Sequence, residues 1–147
     1  MYKKILVATD GSPLSDKAVQ SAIDLCALMG AELVAMKVIQ RFHKTYFDGP
    51  VSVDSAEVTK IEAQWLARTK EIVDAVKSQA EKSGVKAKAV TVKSDLISDA
   101  IIATAKKQNC DLIVMASHGR KGIKRLILGS ETQHVLTHTE IPVLVLR

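Results

Sequence analysis

Five short runs rich in Val, Ile and Leu recur along the chain, at Ile5 to Thr9, Leu33 to Ile39, Ala87 to Val92, Leu112 to Ala116 and Val143 to Leu146. Their alternation with longer amphipathic stretches constrains the fold more than any other feature. The clearest three are nearly continuous in apolar residues, the pattern of strands buried on both faces of a parallel sheet. Parallel neighbours need crossover connections, and helical patterns fill the gaps. Ser12-Pro13 opens the first helix, with Pro at the first helical position; Ala18, Ala22, Leu25, Cys26 and Met29 share a face, and Gly30 ends it. Val58, Ile61, Trp65, Ile72 and Val76 stripe the second helix, which stops near Gly84. The third spans Ile97 to Lys107 with Ala100, Ile101 and Thr104 inward, and the fourth opens at Ser130, where Ser130-x-x-Gln133 reads as a capping box. The order βαβαβαβαβ predicts an α/β fold: one doubly wound parallel sheet of five strands with four helices, in a single domain over residues 1–147.

Composition narrows the partners. At 147 residues and 47% hydrophobic content the chain can build one ordinary core. No segment approaches the roughly 18 to 20 apolar residues of a membrane span, so the expectation is a cytoplasmic protein with no membrane partner. Cys26 and Cys110 lie in or beside apolar-periodic segments and read as reduced structural thiols, not as a disulfide or a thiolate metal site. A net charge of +5 permits polyanion binding, yet most of the 21 Lys and Arg are scattered singly along helix faces. Only Arg120, Lys121, Lys124 and Arg125 cluster, with no aromatic residue beside them for base stacking, which favours a phosphorylated small molecule over nucleic acid. The segment 40–55 is long for a connection in such a fold and holds Phe42, Tyr46 and Phe47, three of the five aromatic residues. It reads as a surface cluster or as a lid or subunit contact.

In doubly wound sheets ligands lie beyond the carboxyl ends of the strands, where the winding reverses. Two loops have the chemistry for that place, "TDGSP" after the first strand and "ASHGRKG" after the fourth. Gly119, Gly122 and Gly129 let backbone approach a ligand, and their amides can form an anion nest. Gly129-Ser130 begins a helix whose positive dipole end faces the same space, suited to a di- or triphosphate. The alternative is a flexible turn before an ordinary N-cap. Asp10 can accept hydrogen bonds from a ribose hydroxyl or an adenine amino group, or help hold a divalent cation, or it can simply form an Asx-turn onto Gly11 and Ser12. A carboxylate at one loop and an anion nest at the other make a nucleotide-shaped pair. Catalytic signatures are missing: there is no Gly-x4-Gly-Lys-Ser/Thr, no Gly-x-Gly-x-x-Gly after the first strand, and His118 beside Ser117 has no acid partner nearby in sequence. His134 and His138 stand four residues apart without the intervening Glu of a zinc protease, so they read as a surface pair and no metal site is expected.

The stretches "ILVATDGS", "DLIVMASHGRKGIKRLILGSETQHVL" and "IPVLVLR" resemble the universal stress proteins, and the resemblance covers essentially the whole chain. It implies strand order 3-2-1-4-5 and dimers paired through the final strand, here residues 142–147. One branch of the family binds ATP through G-x2-G-x9-G-[ST]; Gly119, Gly129 and Ser130 match that pattern, and Ala116 stands where the first glycine would be. By this resemblance Thr9 and Asp10 meet the nucleoside, Val38 meets adenine through its backbone, Met115 lines the base pocket, and Ala8 and Ala116 count among the cofactor-binding residues. Gly119, Gly129, Ser130 and Thr132 hold the phosphates, Glu131 counts among the cofactor-binding residues, and Gly122 falls outside the spacing. The implied function is an ATP-binding stress-response or signalling module without dedicated turnover, with Mg2+ as a companion of the nucleotide. Its alternatives are a dimeric interaction protein of the family's non-binding branch and a slow ATPase or self-phosphorylating enzyme, for which no general base is evident.

Overall fold

The computed structural model describes residues 1–41, 55–119 and 128–147. Along these the elements run β1 (Lys4–Ala8), α1 (Pro13–Met29), β2 (Glu32–Ile39), α2 (Ser55–Lys82), β3 (Ala87–Lys93), α3 (Ile97–Lys107), β4 (Leu112–Ala116), α4 (Ser130–His138) and β5 (Val143–Leu146). All four strand pairings are parallel, and the order is β3-β2-β1-β4-β5. The winding therefore reverses between β1 and β4, where two successive crossovers leave in opposite directions and open a crevice. The expected α/β fold, its strand order and its four helices are all present among the described residues.

Successive strand residues feed two cores. Ile5, Val7, Leu33, Ala35, Leu112 and Val114 pack under α1 and α2, whereas Leu6, Val34, Met36, Ile113 and Met115 pack under α3 and α4. This two-sided burial is why the strands read as unbroken apolar runs. Leu6 and Ile113 are fully buried, so truncating either to Ala would cost about 2–5 kcal/mol. Both cysteines are free and buried. Burial pushes the Cys26 thiol up to about 12 and the Cys110 thiol up to about 11, which keeps both protonated and inert.

Helix α1 starts and stops as its sequence predicts. The Ser12 hydroxyl accepts from the Ser15 amide at 3.3 Å, Pro13 takes the first turn, and Gly30 closes the helix in the left-handed region at φ 66°. Its inward stripe is Ala18, Val19, Ala22, Ile23 and Cys26; Met29, expected on that face, is exposed.

Helix α2 departs further from its expected stripe. Its buried residues are Thr69, Val73, Val76 and Ala80, all in the second half, while Val58, Ile61 and Ile72 are half-buried and Trp65 is 40% exposed. The reason is length: 28 residues of helix reach about 42 Å, and the eight-residue strand β2 reaches only about 26 Å. The first turns of α2 run past the carboxyl edge of the sheet, and Trp65 lies beside the end of β2.

Helix α4 begins at Ser130, but not through a capping box. Gly129 is the N-cap and makes no side-chain cap bond, and Ser130 is the first helical residue with an exposed side chain. The Gln133 amide completes the first turn by donating to the Gly129 carbonyl at 2.9 Å. Among the described residues no helix is long and apolar enough to cross a membrane. The aromatic loop, the basic cluster at 120–125 and Gly122 lie outside the described residues.

Candidate functional site

The loops after β1 and β4, the end of β2 and the N-terminus of α4 surround a cavity of about 630 Å³ at the crevice. The sequence places each wall there for a local reason. β1 ends because Thr9 and Asp10 fold back: the Thr9 hydroxyl accepts from the Gly11 amide at 3.1 Å and lies 3.0 Å from the Ser15 hydroxyl, and Asp10 Oδ1 accepts from the Ser12 amide at 2.9 Å. Asp10 is thus an Asx-turn residue whose other oxygen faces the glycine loop. A Cβ placed on Gly119 would stand 2.5 Å from Asp10 Oδ2, so a side chain there must push the Asp10 carboxylate aside; the φ of Gly119 is not positive.

At the β2 wall the peptide directions expose a recognition edge. The Leu33 amide donates to the Lys86 carbonyl and the Ile39 carbonyl accepts from the Ser94 amide, so odd-numbered residues of β2 face β3. The Met36 carbonyl accepts from the Thr9 amide at 3.0 Å, so even-numbered residues face β1. The pairing of β1 with β2 ends at Ala8 opposite Met36. By strand alternation the Val38 N–H and C=O point to the side that β1 leaves after Thr9, a donor and an acceptor side by side over the cavity. Met115, Ile97 and Ile101 supply apolar walls.

At the β4 wall several polar groups are already engaged. The Gly129 amide donates to the Ser117 carbonyl at 2.7 Å, so this amide serves the loop itself and is not part of an anion nest. The Thr132 hydroxyl donates to the Ala116 carbonyl at 2.8 Å and pins α4 to β4. Glu131 turns away to α3: its carboxylate accepts from the Ser98 amide at 2.9 Å and caps a helix whose own N-cap residue, Leu96, offers no acceptor. Among the described residues, what remains for an anion is the start of α4, where the amides of Ser130, Glu131 and Thr132 precede the first intrahelical bond.

Every residue expected at the site, from Ala8, Thr9 and Asp10 through Val38, Met115 and Ala116 to Gly119, Gly129, Ser130, Glu131 and Thr132, lines this one cavity. The universal stress protein family model matches residues 1–147. The chain belongs to the universal stress protein family. It is 34% identical to universal stress protein MJ0531 of Methanocaldococcus jannaschii, over all of this chain and 83% of that protein. The solved structure of MJ0577, a universal stress protein of the same organism, superposes with a TM-score of 0.83 at 27% identity, covering 99% of this chain and 96% of that one. A universal stress protein crystallised in complex with cAMP superposes with a TM-score of 0.71 at 25% identity, covering 99% and 97% of the two chains.

This universal stress protein also brings to the cavity residues that sequence reading passed over. Lys37, Trp65, Thr69 and His118 line it. Lys37 had no signal beyond its place beside Val38 near the end of β2, and Trp65 was assigned to the core stripe of α2. His118 Nδ1 lies 3.1 Å from the Ser117 hydroxyl. Ala116 ends β4 with ordinary negative φ, since Asn109 is the one described non-glycine residue at positive φ. His134 and His138 stack with ring centroids 3.9 Å apart, His134 Nε2 meets Asp99 Oδ1 at 2.9 Å, and among the described residues no group of three or more metal-ligating side chains converges.

Proposed function

We propose that this universal stress protein binds an adenine nucleotide, ATP with Mg2+ as companion, and acts in the cytoplasm as a stress-response or signalling module governed by nucleotide state. One observation carries the reading: the cavity offers three kinds of recognition in the order of a nucleotide's parts, across three adjacent strands. The Val38 backbone edge beyond β2 matches the acceptor and donor edge of adenine. Asp10 beyond β1 suits a ribose hydroxyl, and the amides opening α4 beyond β4 suit phosphate. The Mg2+ would be held chiefly by phosphate oxygens. A relative's complex with cAMP supports a nucleotide as the class of ligand. Titration calorimetry tests the reading, with ATP expected to bind at roughly micromolar Kd, about −8 kcal/mol. No heat and no thermal shift at millimolar ATP would refute it.

The same reading includes a homodimer through residues 142–147. β5 pairs with β4 on one side only, and Leu144 on it is 38% exposed, leaving an apolar edge open to a second copy. Light scattering on wild type and Val145→Pro tests it; a wild-type protein that is monomeric at high micromolar concentration overturns it.

A further inference from the structure

Beside the main cavity a smaller chamber of about 150 Å³ opens between the end of β2 and α2, walled by Asp10, Lys37, Trp65, Arg68, Thr69 and Ile72. Asp10, Lys37, Trp65 and Thr69 line both spaces, so the chamber adjoins the cavity at the Asp10 end. Its chemistry is that of an anion subsite. Trp65 and Arg68 stand three residues apart on one face of α2. Lys37 Nζ lies 3.5 Å from the Asp10 carbonyl oxygen. Two cationic residues, a tryptophan and a threonine thus share the wall of the chamber, and Asp10 Oδ1 is held by the Ser12 amide. None of these groups is needed by a base on Val38 or by phosphates at α4.

Which part of a ligand faces the chamber follows from the strand order, and here the inference rests on the nucleotide reading above. With the base over β2 and the 5′ phosphates at α4, the ribose between them falls over β1 beside Asp10, a residue that walls both the cavity and the chamber. We infer that the chamber receives a further phosphate on the 2′ or 3′ oxygen of the ribose, so that the favoured ligands are ribose-phosphorylated nucleotides. Asp10 then keeps the remaining hydroxyl as its donor, and Lys37 and Arg68 offset the like charge of carboxylate and phosphate. Arg68 supplies the planar fork that binds phosphate in bidentate fashion.

The test compares AMP with adenosine 3′,5′-bisphosphate and adenosine 2′,5′-bisphosphate by calorimetry at one fixed salt concentration, so that only the ribose phosphate differs. One isomer should bind about tenfold tighter than AMP, the effect of one charge-assisted contact, and which isomer does so names the oxygen. In Arg68→Ala, an exposed helix position where alanine keeps the helix, the gain should vanish while AMP affinity stays the same. Bisphosphates that bind no tighter than AMP, or a gain that survives Arg68→Ala, overturn this inference and leave the nucleotide reading standing. If neither AMP nor ATP binds, the nucleotide reading fails first and takes this one with it.

Discussion

Adding one methyl group at Gly119 separates ligand-binding and structural roles of the loop after β4. The new Cβ of Gly119→Ala would sit 2.5 Å from Asp10 Oδ2 and 3.6 Å from its Cγ. A relaxed carbon to oxygen contact is about 3.3 Å, so the carboxylate must retreat by about 0.8 Å. Its other oxygen holds the Ser12 amide at 2.9 Å, so a carboxylate that retreats as a unit lengthens and weakens that bond. Weakening the Asx-turn bond of a half-buried carboxylate costs up to about 0.5–1.5 kcal/mol of stability. No backbone strain adds to this, because the glycines at positive φ are Gly11, Gly30 and Gly84. If Asp10 accepts from the ribose, ATP affinity should fall by about 1–3 kcal/mol, roughly tenfold to a hundredfold. Trp65, the single tryptophan, lines the cavity and reports both properties: fluorescence titration gives affinity and urea melts give stability. Because the methyl acts through Asp10, the cycle with Asp10→Ala must be non-additive, with Gly119→Ala costing almost nothing in affinity once the carboxylate is gone. Additive losses, or full ATP affinity in Gly119→Ala, would refute the steric reasoning.

Three further outcomes follow from the same geometry. Glu131→Ala should lower stability by about 1 kcal/mol in urea melts, as loss of a side-chain cap on α3, and leave ATP affinity unchanged; a large affinity loss would place Glu131 at the ligand. Ala116→Gly should leave ATP affinity unchanged by calorimetry, since Ala116 has ordinary negative φ and its carbonyl is already taken by Thr132. Cys26 and Cys110 should resist a thiol reagent at pH 8 until denaturant is added. Their folded pKa values are raised, so well below pH 9 both thiols are protonated folded or unfolded and stability is unaffected; as pH rises from 9 toward about 11 for Cys110 and about 12 for Cys26 the unfolded chain alone loses these protons and stability falls by up to about 1.4 kcal/mol per unit per thiol.

Much of this molecule is legible without its structure, because local periodicity records burial. Strands that serve two cores carry unbroken Val, Ile and Leu, and the ends of α1 are written in Ser12, Pro13 and Gly30. The loops after β1 and β4 are nameable from the strand pattern, since they must meet at a switch point, whereas Val38 and Met115 come from the family resemblance. Tertiary structure decided the partner of each polar group. Ser130 could have capped its own helix, and Glu131 could have faced the ligand. Instead Gly129 is the N-cap of α4, and Glu131 caps α3, because packing α4 against α3 presents the Ser98 amide to it. The close approach at Gly119 is likewise invisible in its neighbours, for it comes from a carboxylate on β1's loop. The walls supplied by Trp65 and Arg68 depend on where a helix longer than the sheet must end. Period and capping are properties of a few adjacent residues, whereas contacts between distant residues exist only once the strand order has brought them together.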